Sequence, residues 1–160
     1  MNKPYITKVH INLEVLSIVI CAASVIFGIF FAMRGGDPVP THFSITGEVQ
    51  SYGSPWSILT SPGIILITDI VLSLIIHFLP ADKWNISFKI NPGRELIVFT
   101  DISLMIAVME LTMAIWSLAV TMLWTSGLSS GIFISAIIMS VALIAEVAFF
   151  YILAKRHNTL

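Results

Sequence analysis

Four long apolar runs, separated by stretches where proline, glycine and charge collect, set the pattern of this chain. Apolar runs of 18 residues or more are the length of a bilayer crossing, and in hydrocarbon only a helix or a closed barrel satisfies its own backbone. Continuous runs without alternation select the helix. The first predicted helix covers 11–33, carries one charge, Glu14, and ends at the breaker Arg34-Gly35-Gly36-Asp37-Pro38. The second covers 62–79, opening on the cap-and-proline pair Ser61-Pro62 and stopping before Pro80. At 1.5 Å per residue it is roughly 27 Å long, enough to cross. The third covers 96–124, preceded by a second such pair, Asn91-Pro92, and the fourth covers 131–154. Only residues 125–130 join the last two, so they are antiparallel neighbours. The fold class predicted is an all-α integral membrane protein: one domain over 1–160, a four-helix transmembrane bundle with an ordered external loop, 34–61, between helices 1 and 2.

Composition agrees, since 57% of the 160 residues are hydrophobic and 11% charged, with a mean hydropathy of +0.96, outside the range of a soluble domain. The first run is longer than the core of a secretory signal and no small-residue cleavage site follows it, so it is read as a retained helix. Charge adds orientation. Lys3 and Lys8 precede helix 1, Lys83, Lys89 and Arg94 lie between helices 2 and 3, and Lys155 and Arg156 follow helix 4, leaving Arg34 alone on the other side. Seven of the eight basic residues therefore share one face, which the positive-inside rule makes cytoplasmic. The expected location is the bacterial cytoplasmic (inner) membrane, multi-pass, with both termini in the cytoplasm. No basic surface is left over for nucleic acid. The single cysteine, Cys21, can form no internal disulfide; it sits with Ser17, Ser24 and Gly28 on one helical face, a small-residue stripe that lets another helix approach.

The external loop is too long and too apolar to be a passive link. Its prolines fix φ, its glycines supply turns, and Phe43, Tyr52 and Trp56 call for a surface to cover, so an ordered cap at the membrane interface is expected, with Ser54-Pro55-Trp56 starting a short interfacial helix. Within it, Val39-Pro40-Thr41-His42-Phe43, then Gly47, then Tyr52-Gly53-Ser54 resembles the proline-x-histidine-aromatic and glycine signature of a bacterial membrane module found in the amino-terminal part of the Sdp toxin immunity protein. The resemblance covers the first two helices and their loop, while the last two helices match in hydropathy. It implies a non-enzymatic protein in which Pro40, His42, Phe43, Gly47, Tyr52 and Gly53 receive a peptide or protein partner, with immunity or signalling as the outcome. The chain departs from the family pattern at Ser44 (usually Asn or Asp), Gln50 (usually acidic) and Pro55 (often Lys).

Two readings of His42 stand side by side: a ligand for a metal or peptide, for which Asp37 and Glu48 are the only nearby co-ligands, or a structural histidine bonding the loop's own backbone. The loop holds no nucleophile-base arrangement, and no phosphate-binding glycine motif or cysteine pair is present, so no enzyme and no cofactor are expected. Acids inside the spans are the other unusual feature. Asp69, Glu110 and Glu146 fall near the bilayer middle with no basic residue at their depth, and a lipid-exposed charge there costs about 3 kcal/mol even on insertion scales. They should face the bundle. Asp69 shares a stripe with Ser73 and His77, and Glu110 with Ser103, Ser117 and Thr121. Nearer the cytoplasmic end, Glu14, His77 and Asp101 are expected to converge. Functionally these groups make a cation or proton site and the protein a small transporter; structurally they hydrogen-bond between helices, at ~1 kcal/mol each, with Glu110 donating one such bond. Met105, Met109 and Met113 form a further one-sided ladder that reads as core filler or as a soft-metal relay. Which metal, if any, the sequence does not choose, and it is compatible with an oligomer.

Overall fold

The computed structural model describes residues 3–35 and 37–160; Gly36, in the predicted breaker, lies outside them. Four membrane-length helices form a bundle: α1 (Lys8–Met33), α2 (Thr60–Phe78), α3 (Glu95–Thr125) and α4 (Ser129–Thr159). The chain is therefore a multi-pass membrane protein in contact with lipid. A two-stranded antiparallel hairpin, β1 (Val39–Phe43) and β2 (Val49–Gly53), and a 3-10 helix (Pro55–Leu59) link α1 to α2. Helix α3 is the centre, with α1, α2 and α4 packed around it. Lys3, the first described residue, and the end of α4 lie at one end of the bundle, with the hairpin at the other.

Local chemistry sets the helix ends. Helix α1 starts at Lys8, before the apolar run, because the Thr7 hydroxyl accepts from the His10 N–H at 3.3 Å. Ser61 is not the cap of α2: the 3-10 helix, itself capped by Ser54 on the Trp56 N–H at 3.3 Å, runs straight into Thr60. The first-turn N–H groups of α2 thus find partners in that preceding helix, and Ser61 Oγ is left buried without one. Asn91 does not cap α3 either. It is committed elsewhere: its N–H and its side-chain amide donate to Asn158 Oδ1 and the Asn158 carbonyl, each at 2.7 Å, and Asn158 Nδ2 donates to the Lys89 carbonyl at 3.0 Å. This clasp ties the end of α4 to the segment before α3 and extends α4 to Thr159, past the apolar run. Lys3 performs a similar service for α2, its ammonium donating to the carbonyls of Ile76 and Leu79 at 2.8 and 2.9 Å, the last-turn acceptors that a cation satisfies.

The bundle interior is small and polar. Cys21, Ala107, Ala114, Ser17, Ser24, Ser103 and Ser117 are fully buried, so the helices approach through short side chains, as membrane bundles do. Large apolar residues such as Ile26, Ile67, Ile138 and Ile144 point outward, where lipid is as good a solvent as a core. Replacing Asn158 by Ala removes the two hydrogen bonds of its side chain, leaves the Asn91 N–H and the Lys89 carbonyl short of a partner, and should lower unfolding stability in detergent by about 1–3 kcal/mol. Denaturant titration of the purified variant checks this, and an unchanged midpoint would mean the clasp is replaced by water.

Candidate functional site

Two places gather polar residues: the hairpin, and the inside of the bundle. In the hairpin, the pairs Val39 with Gly53, Pro40 with Tyr52, His42 with Ser51 and Phe43 with Val49 are out of step by one residue on each strand, at Thr41 and at Gln50. Such bulges break the two-residue alternation of side chains. In consequence Thr41 and His42 both face outward to the same serine: Ser51 Oγ lies 2.7 Å from His42 Nδ1 and 3.1 Å from Thr41 Oγ1. His42 bonds side chains here, not the backbone, and it is exposed. Neither Asp37 nor Glu48 joins it in a three-ligand group among the described residues.

The turn 44–47 is closed by the Gly47 N–H on the Ser44 carbonyl at 2.9 Å, and Ser44 Oγ accepts from the N–H groups of Thr46 and Glu48 at 3.2 and 3.0 Å. A short oxygen-bearing side chain is what this place requires, which serine meets as asparagine or aspartate would. Gly47 has φ +84°, and a Cβ there would stand 2.8 Å from the Phe133 ring of α4. At Gly53 a Cβ would meet Thr41 Cγ2 at 2.6 Å. The hairpin thus sits on the bundle through a close backbone approach at Gly47, while Gly53 closes the hairpin on Thr41. Its seat is completed by buried Val39 and Ile58 and by Trp124 Nε1 donating to the Pro40 carbonyl at 3.2 Å. The loop aromatics contribute less than their composition suggests. Phe43 is half-buried, whereas Tyr52 and Trp56 are 63% and 52% exposed, because the anchoring aromatic, Trp124, comes from α3. Ile45 at the tip is 94% exposed. A cleft lined by Asp37, Tyr52 and Trp124 opens on one side of the Pro40–Trp124 bond, and another lined by Thr41, Ser61 and Trp116 on the other.

Inside the bundle the acids are dispersed. Asp69 on α2 is buried against α1, where Ser17 Oγ donates to its Oδ2 and Cys21 Sγ lies 3.4 Å from the same oxygen. The stripe of small residues on α1 is therefore also a row of donors. Glu146 on α4 accepts from Thr112 Oγ1 at 2.5 Å. Glu110 is buried on α3 with Ser103, Ser117 and Thr121, but its Oε1 has no hydrogen-bond partner; the expected interhelical bond from Glu110 is not formed. Residues two apart on a helix point to nearly opposite sides, so Thr112 turns to α4 while Glu110 turns away from it.

The same geometry corrects the expected convergence of Glu14, His77 and Asp101. Glu14 and His77 do meet, Oε2 to Nε2 at 2.8 Å. Asp101 instead turns to α4 and pairs with His157 Nδ1 at 2.7 Å, while Ser103, two residues on, faces α1. The third member at Glu14 is His10, Nε2 to Oε1 at 3.2 Å. His10 was visible in the sequence as one helical turn before Glu14, but it precedes the apolar run and reads as an interfacial residue. In the structure it is 1% exposed. His157 was missed for the mirror-image reason, since it follows the last run.

A family model described as a domain of unknown function (DUF1648) matches residues 19–66, which covers the latter half of α1, the whole hairpin, the 3-10 helix and the first turns of α2. No curated protein and no solved structure matches the chain.

Proposed function

We propose that this protein is a non-enzymatic receptor of the bacterial cytoplasmic membrane, its termini in the cytoplasm, that binds a peptide or protein on the outward-facing hairpin, the role that its resemblance to the Sdp immunity module implies. The observation that carries this reading is the division of labour within the hairpin. Its backbone is held on the bundle from beneath, through Trp124, Gly47 and Val39, while His42, Tyr52 and the Ile45 tip are exposed. A rigid element that presents aromatic and polar groups pays little ordering entropy on binding. The match to a domain of unknown function over 19–66 spans this same element, and the seven-to-one distribution of basic residues supports the orientation.

Survival tests the reading. Bacteria sensitive to the Sdp killing peptide and expressing this chain should outlive cells carrying an empty vector, and Tyr52→Ala or His42→Ala should abolish protection while membrane level and melting temperature stay at the parent value. Equal killing with and without the chain would refute it.

A second reading, passage of protons or cations, is favoured by one observation: Glu110 is buried with an unpartnered oxygen and, unlike Asp69 and Glu146, makes no side-chain hydrogen bond among the described residues, an expense that structure alone does not explain. Liposomes containing the protein would then show cation or proton flux that Glu110→Gln abolishes.

A further inference from the structure

We propose that His10, Glu14 and His77 form a binding site for one divalent transition-metal ion of the zinc class at the termini end of α1 and α2. The inference is independent of the hairpin and stands or falls without it. His10 and Glu14 are four residues apart and therefore on one face of α1; His77, in the last turn of α2, closes on them. The ligand atoms of all three lie within 4.8 Å of one another. Ligands about 2.0–2.1 Å from a tetrahedral zinc stand about 3.3 Å apart; His10 Nε2 lies 3.2 Å from Glu14 Oε1, and His77 Nε2 is hydrogen-bonded to the other oxygen, Oε2, at 2.8 Å. Two imidazoles and one carboxylate suit zinc or its first-row neighbours, whereas calcium and magnesium require oxygen.

The decisive observation is the orientation of His10. Its Nδ1 lies 2.9 Å from the Ser103 carbonyl, which can only accept, so Nδ1 carries the hydrogen. A backbone carbonyl behind the ring is the usual outer partner of a metal-bound histidine. In the neutral ring Nε2 is then a lone pair, and it faces Glu14 Oε1, another acceptor. Both atoms are buried and neither has a hydrogen-bond partner; His10 and Glu14 are 1% and 5% exposed. Two unpartnered acceptors facing each other in a buried site call for a cation between them. His77 is the entrance, its side chain 36% exposed.

Cobalt and zinc binding by the full chain, purified in detergent through a tag without histidine and stripped by chelator, tests the site. One equivalent of Co2+ should give the strong visible absorption of a four-coordinate ion, Zn2+ should displace it, and Zn2+ should raise the melting temperature. Because His77 is partly exposed, His77→Ala should fold as the parent does yet bind more than about 100-fold more weakly, beyond the loss expected for an outer partner. Glu14→Gln, which keeps the shape of the side chain, should lose binding equally and carries the test if His77→Ala does not fold. His42→Ala and His157→Ala should bind as the parent does. Absence of four-coordinate absorption in the parent, with no zinc-induced rise in melting temperature, would overturn the proposal and assign the cluster to a shared proton. Parent-like affinity in both His77→Ala and Glu14→Gln would overturn it too, by placing the metal elsewhere.

Discussion

Glu110→Met is expected to unfold at a higher denaturant concentration than the parent, by about 1–3 kcal/mol, the reverse of what loss of a buried polar residue usually does. The sign follows from accounting for hydrogen bonds. A buried polar atom without a partner costs roughly 1–3 kcal/mol by mutational measures, and Glu110 Oε1 is such an atom. Methionine has nearly the same length and no requirement to be met, and it is already common beside this position, at Met105, Met109 and Met113. Equilibrium unfolding of the two proteins in one detergent measures the difference. A clear loss of stability would show that Glu110 makes a bond to another group, such as an interior water, and would remove the observation that favours the flux reading.

The largest loss should come from Asp69→Ala. Asp69 is as deeply buried as Glu110, and its Oδ1 is likewise without a partner, but its other oxygen is used: Ser17 and Cys21 on α1 both direct their hydrogens to Oδ2. Truncation leaves those two groups without an acceptor and opens a gap between α1 and α2, for a combined cost of about 3–5 kcal/mol. Asp69→Asn retains an acceptor oxygen of the same reach and should recover most of it. The contrast between Asn and Ala is the informative measurement, because a purely steric effect would leave Asn near the parent but a purely charge-based one would make Asn and Ala alike. Opposite signs at Asp69 and Glu110 follow from partners and not from burial, which the two residues share.

Much of this architecture was legible from hydropathy alone, because the bilayer requires each crossing to satisfy its own backbone and so ties run length to helix. The inward faces were legible too: Ser17, Cys21 and Ser24 on α1 and Ser103, Glu110, Ser117 and Thr121 on α3 are all buried, as polar stripes in lipid must be. Pairings across helices were not. Asp101 and Ser103 differ by two positions and so face α4 and α1 respectively; periodicity gives the angle between them but not which neighbour each side meets. The residues overlooked, His10, His157 and Asn158, all lie outside the apolar runs in segments that the structure nevertheless continues as helix. Capping by Thr7 and the Asn158 clasp extend α1 and α4 beyond the hydrocarbon pattern, and no hydropathy signal records that. In the hairpin, the motif located the element, but the bulges at Thr41 and Gln50, which turn Thr41 and His42 to the same side, depend on register and on the fit of Gly47 and Gly53 against α4 and β1.

The account as a whole requires the hairpin and the segment joining α2 to α3 to lie on opposite faces of the membrane, with the hairpin outside. Single cysteines at Ser44 and at Ser87, each in a Cys21→Ser background that keeps a donor to Asp69, report this with a membrane-impermeant thiol reagent applied to intact cells. Labelling at position 44 from outside, with position 87 labelled only after permeabilisation, is the predicted result. Labelling at 87 from outside with none at 44 would invert the protein, put the hairpin in the cytoplasm, and contradict an outward-facing receptor.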